Sequence, residues 1–243
     1  MGRRDQYRAE LRGLDASHRT TYLRAHSGLP GPRGNIELAQ AIADEADRAY
    51  FDQLIATDDE YLVFCGVVGL GRVLAERTGA DLAGADLTGA DLTRRLRAHA
   101  ADPRWRVREA VAMALQRLGD ADLPRLLDTV TAWAADPCPL VGRAAVAGIC
   151  EPRLLVTPAA ATIAVDVCAQ MTQALAARPV NERAAPEVRT LRQALGYCWS
   201  VAVAADPARG LPRFLAMPNQ DDRDVAWIMR ENRRKKRLAG LQR

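Results

Sequence analysis

The chain has 243 residues, room for one large domain or two small ones. Ala occurs 45 times and Leu 28 times against 5% aromatics, which favours helices over a β-sandwich, and 49% hydrophobic content excludes low-hydrophobicity disorder. The net charge of +4 is a property of the C-terminal end: residues 224–243 carry seven Arg and Lys against Asp224 and Glu231, and the rest of the chain carries 27 positive against 28 negative charges.

In chain order, residues 4–26 predict one or two helices. The stretch Gly28-Leu29-Pro30-Gly31-Pro32-Arg33-Gly34 predicts a stiff turn, so residues 1–34 read as an N-terminal helical cap and 35–243 as a helical array. A helix over 35–54 starts at Asn35 and sets Leu38, Ile42, Ala46 and Tyr50 near one side. A second runs from Asp58-Asp59-Glu60-Tyr61-Leu62 to Gly71-Arg72. Further helices are predicted over 91–101, 121–135, 158–177 and 207–215, the third opening on Thr157-Pro158. Between them lies a clearer unit, 102–120. Asp102-Pro103 opens it, Val107, Val111, Ala114, Leu115 and Leu118 share a face, and Gly119 closes it.

That grammar recurs. Asp136-Pro137 leads into Val141-Gly142-Arg143, Pro186-Glu187 into Val188-Arg189, and Asp221-Asp222-Arg223-Asp224 into Val225. The anchors Leu62, Val107, Val141, Val188 and Val225 stand 45, 34, 47 and 37 residues apart. The pattern resembles the HEAT repeat, whose second helix begins Asp-x-x-x-x-Val-Arg at a period of about 40–47 residues. The resemblance covers residues 35–235. It implies an all-α fold, a right-handed α-solenoid of about five HEAT-like helix pairs behind the N-terminal cap. Residues 80–94, with Ala-Asp-Leu three times at five-residue spacing, resemble the pentapeptide-repeat family. Three units are fewer than one coil of that family's β-helix, so 80–93 read as a pentapeptide-like loop running into a helix at Asp91.

The five Cys are odd in number and never form C-x-x-C, which predicts buried, reduced thiols in a cytoplasmic protein. The N-terminus lacks the apolar core of a signal peptide, and no uninterrupted apolar run approaches the ~18 residues of a membrane span. P-loop, nucleophile-elbow, zincin and dinucleotide motifs are missing, so neither a cofactor nor a metal is expected. His18, His26 and His99 show no ligand spacing and read as solvated surface residues. Trp133 and Trp199 read as core.

In HEAT arrays the second helices line the concave face. The resemblance therefore places Trp105, Arg108, Arg143, Arg189, Arg192, Trp227 and Arg230 there, joined by Arg233 and Arg234 of the basic end. Arg suits phosphates and carboxylates, and Trp anchors partners or stacks on bases. The Arg after Val also belongs to the HEAT pattern itself, so Arg108 and Arg189 have a structural reading as well. The cluster at 230–237 either complements a helix macrodipole at the end of the array or forms a phosphate-binding patch.

Two functions follow. One is a non-catalytic scaffold whose concave Arg/Trp face holds a macromolecular partner, a protein first of all, with nucleic acid as the other candidate and no membrane. The second rests on a further resemblance, to bacterial alkylpurine DNA glycosylases of HEAT-like fold. In that family concave Trp and Arg contact the lesion-bearing strand and an acidic residue assists bond cleavage. Glu109 and Glu151 are the acidic candidates it points to.

Overall fold

The structure, a computed structural model, describes residues 2–76 and 88–241; residues 80–87 of the pentapeptide-like stretch lie outside these. Fourteen α-helices and two short 3-10 turns occur among the described residues, with no strand, so the fold is all-α. By contact the chain divides into two units, Met1–Ala121 and Asp122–Arg243.

The first unit holds α1 (Arg3–Arg12), α2 (Ala16–Ala25), α3 (Ile36–Glu45), α4 (Arg48–Ile55), α5 (Glu60–Glu76), α6 (Gly89–Ala100) and α7 (Trp105–Ala121). The sequence predicts a single helix over 35–54; the structure breaks it. The Asp47 carboxylate accepts the Tyr50 N–H at 2.8 Å and so caps α4, a local bond that outcompetes continuation of α3. Helix α5 lies at the centre, apolar almost all round, packed by α2, α3, α4, α6 and α7. Its glycines are what let neighbours close in. A Cβ on Gly71 would stand 2.5 Å from the Ala114 backbone of α7.

Helix α1 is held by charge. Arg4, Arg8 and Arg12 recur at four-residue spacing and reach the acidic end of α3: Arg4 forks onto Asp44 at 2.8 Å, Arg8 meets Glu45 at 2.6 Å, and Arg12 forks onto Glu45 at 2.8 Å. Arg117 of α7 reaches the same Asp44 at 2.6 Å.

The second unit holds α8 (Leu123–Ala134), α9 (Pro139–Ile149), α10 (Pro158–Ala176), α11 (Pro186–Ala205), α12 (Pro207–Leu215), α13 (Arg223–Arg233) and α14 (Lys236–Ala239). Side chains of Asp122, Thr157, Asp206 and Asp222 cap α8, α10, α12 and α13 by accepting backbone N–H groups of the first turn. Helix α11 is packed by α9, α10, α12, α13 and α14. Trp199 and Trp133 are buried, as the sequence predicts; Trp199 meets Phe214 edge-on and donates to Thr172 at 3.0 Å.

Helix α10, interrupted by Asp166, is long and apolar enough to cross a membrane by length and composition, and 56% of that stretch is buried inside its unit. One expectation needs correction. His99 is half-buried, not solvated, and burial first of all lowers its pKa, whereas His18 and His26 are exposed.

Candidate functional site

A cleft of about 360 Å³ opens in the first unit where the Gly/Pro turn meets the start of α7. The turn is held from several sides. Gly28 has φ +76°, the left-handed region that glycine adopts without strain. The Asn35 amide donates to Tyr7 and to the His26 carbonyl, both at 3.0 Å, and Tyr61 donates to the Asn35 carbonyl at 2.7 Å. Arg106 clasps the other side, donating to the Gly31 carbonyl at 3.1 Å and to Glu60 at 2.9 Å.

Trp105, the first residue of α7, lines the cleft and stays 45% exposed. The Arg106 guanidinium lies 4.5 Å from its ring centroid, which fixes the indole by a cation–π contact. The turn supplies Pro32 and Arg33, the start of α3 supplies Ile36, also 45% exposed, and α5 supplies Tyr61 and Phe64, stacked at 6.0 Å. Glu109, one helical turn beyond Trp105, completes the wall. Neither Arg33 nor Glu109 has an ion-pair or hydrogen-bond partner through its side chain among the described residues. The cleft therefore offers an apolar slot with a free cation and a free carboxylate at its edge.

The second unit gathers a different set. Arg192 donates to Asp224 at 2.5 Å and lies 4.8 Å over the Trp227 ring. Trp227 is half-buried and rests on Gly196, where an added Cβ would meet the indole at 2.7 Å. Behind them Arg183, buried in a 3-10 turn, bonds Asp222 at 2.5 Å and donates to the Arg178 carbonyl at 2.8 Å and to the Ala176 carbonyl. Its guanidinium stands 3.6 Å from Asp224. Arg192 and Trp227 thus belong to a packed, charge-compensated seam between α11 and α13.

The remaining sequence candidates disperse. Arg108 does not line the cleft; it donates to the Asp102 and Pro103 carbonyls at 2.7 and 2.8 Å, bracing the loop before its own helix. Arg143 is half-buried on α9 and Arg189 is exposed on α11. Glu151 pairs with Arg153 at 3.1 Å. Arg230 and Arg233 project from the end of α13, where Arg234 pairs with Glu231 at 2.9 Å.

Of the predicted residues, then, Trp105 and Glu109 line one cleft and Arg192 lies over Trp227. Sequence reasoning missed Arg33, Ile36, Tyr61, Phe64, Arg106 and Arg183. The signal for Arg33 and Arg106 was present: one sits in the Gly/Pro turn, the other beside Trp105.

No family model matches the chain, and no curated protein matches it. Two solved structures, each described as an engineered protein, align over 100% of this chain. One is 13% identical with a TM-score of 0.40 and is covered over 99% of its length; the other is 15% identical with a TM-score of 0.36 and is covered over 97%.

Proposed function

We propose that the protein is a non-catalytic binding protein that holds a protein partner through the Trp105 cleft. The observation that carries this reading is an indole left 45% exposed, fixed by Arg106, in a cleft also lined by an equally exposed Ile36. Residues that dominate an interface are enriched in Trp, Tyr and Arg buried in a partner's surface. The free Arg33 and Glu109 would set the orientation of what enters. Helix packing supports the α-solenoid reading of about five HEAT-like pairs. In the second unit α9, α11 and α13 pack in one row and α8, α10 and α12 in another; in the first, α3, α5 and α7 form a row.

The test is affinity capture followed by measurement of the captured partner. Trp105→Ala and Ile36→Asp should each weaken that complex at least about 30-fold, about 2 kcal/mol, with the melting temperature unchanged. A partner held equally by both variants would overturn the reading.

A second reading, a DNA-binding protein of the alkylpurine glycosylase type, draws support from one observation: Trp105 and Glu109 line the same cleft, with Arg33 beside them. A stacking ring and a carboxylate could receive an extruded, positively charged base. Under this reading Glu109→Gln abolishes base release from methylated duplex while leaving binding intact, and Glu151→Gln changes neither. If the unaltered protein releases no methylated base, the reading fails.

A further inference from the structure

We propose that the basic end of the second unit, α13 and α14 together with Tyr197 of α11, binds single-stranded nucleic acid, independently of the Trp105 cleft. Six cations fall within eight residues: Arg230, Arg233, Arg234, Lys235, Lys236 and Arg237. Glu231 is the one acid among them and it pairs with Arg234. Arg230, Arg233 and Lys236 are exposed, and their side chains make no ion pair or hydrogen bond among the described residues. Compensation of the helix macrodipole accounts for part of this. Arg230 and Arg233 occupy the last turn of α13, where cations are favoured, but Lys236 and Arg237 open α14, where the dipole does not reward them.

An aromatic ring stands among these cations. Tyr197 is 45% exposed. Lys235 and Arg237 lie 5.5 and 5.1 Å from its centroid, and Arg237 donates to its hydroxyl at 3.0 Å. A half-exposed ring with cations lying over it suits the alternation of base and phosphate along a strand: a base takes the ring face in exchange for the cations, which move to the neighbouring phosphates. Stacking of this kind needs an unpaired base, which favours a single strand over a duplex.

The surface is also held in place from beneath. Asn232 is fully buried; its amide donates to the Leu195 and Ile228 carbonyls, both at 2.8 Å, and its carbonyl accepts the Ser200 N–H at 2.8 Å. The same burial argues against a membrane. Val225, Ile228, Met229 and Leu238, the apolar face of α13 and α14, are already packed inside the unit and have nothing to insert into a bilayer.

The experiment uses the full chain and a fluorescein-labelled 16-nucleotide oligothymidine, with the matching duplex and phosphatidylserine-containing vesicles as comparisons, across a salt series. Contact with four to six phosphates gives a log–log salt slope of about −3 to −4. Replacing Arg230, Arg233 and Lys236 together by Ala should lower that slope by about 2, because each lost phosphate contact removes about 0.7. Tyr197→Leu should weaken binding at least about 5-fold, and Tyr197→Phe should restore it. All these positions are exposed, so the variants should melt like the unaltered protein; Trp105→Ala should bind the oligonucleotide normally. The proposal is overturned by no oligonucleotide binding at 50 mM salt (about the low end of the usual range), by binding indifferent to the triple variant, by duplex bound as tightly as single strand, or by capture of vesicles without oligonucleotide.

Discussion

Glu45 shows how one carboxylate contributes to the acid stability of the first unit. The Arg12 guanidinium, with Arg8 beside it, outweighs the opposing effect of burial and holds its pKa down to about 2 from an ordinary 4.5. A carboxyl depressed in the folded state gives stability that is fully present above pH 4.5 and is lost as pH falls from there toward 2. Glu45→Gln should therefore lower the urea midpoint at neutral pH and flatten its decline across that acid window. A midpoint that falls with the same steepness as before would place the acid sensitivity elsewhere. The thiols make a second residue-scale case. Cys150 and Cys168 approach to 3.7 Å, and Cys198 joins them; the hydrogen bond to Cys168 together with burial pushes Cys150 up, the hydrogen bond to Cys150 together with burial pushes Cys198 up, and burial pushes Cys168 up against the opposing hydrogen bond to Cys150. Cys65 is pushed up by burial as well, whereas Cys138 is half-buried. With Ellman's reagent, Cys138 should react first in the native protein and the other four only on unfolding. Fast release from more than one thiol would contradict this.

At the scale of elements, the contact between α5 and α7 depends on a missing side chain. Gly71→Ala would drive a methyl into the Ala114 backbone, and a backbone cannot rotate aside, so a cost of about 1–3 kcal/mol in urea unfolding is expected. The α11–α13 seam depends on Arg183 in the opposite way, through a charge. Arg183→Met would leave Asp222 and two carbonyls without their cation and Asp224 with Arg192 alone, at a cost of about 3–5 kcal/mol. Seen beside these, the helices themselves were legible in advance. Asp-Pro and Thr-Pro starts, capping carboxylates and 3.6-residue apolar spacing are local signals, and the helices predicted at 91–101, 121–135, 158–177 and 207–215 all form. The break at Asp47 was not legible, because the apolar spacing continues across it and the cap is one side chain competing with a helix turn.

For the molecule as a whole, each unit carries its own core: α5 with its five packing partners in the first, α11 with Trp199 and Phe214 in the second. A chain limited to residues 122–243 is expected to melt in one cooperative transition with strong helical dichroism. A broad, uncooperative melt would mean that this unit cannot close its core alone. The two candidate surfaces are likewise of different kinds. The cleft at Trp105 lies in the first unit and is apolar with single charges at its edge; the surface at Tyr197 lies in the second and is cationic. Variants in one should leave the other's binding untouched.

The sequence by itself determined the helical class, most helix starts and the location of the basic end, since each is written in neighbouring residues. It also singled out Trp105 and Glu109, although nothing local could say that they share a cleft. Which charges stay free was decided by tertiary structure. Arg192 looks like Arg33 and Arg230 on paper, yet it is taken up by the buried carboxylate of Asp224, 32 residues away, which lies close only once the chain has folded. Tyr197 likewise gained its meaning from α14 folding back to set Lys235 and Arg237, nearly forty residues later, against its ring. Long-range proximity is what the fold adds, and in this chain it separates arginines that hold the protein together from those left exposed.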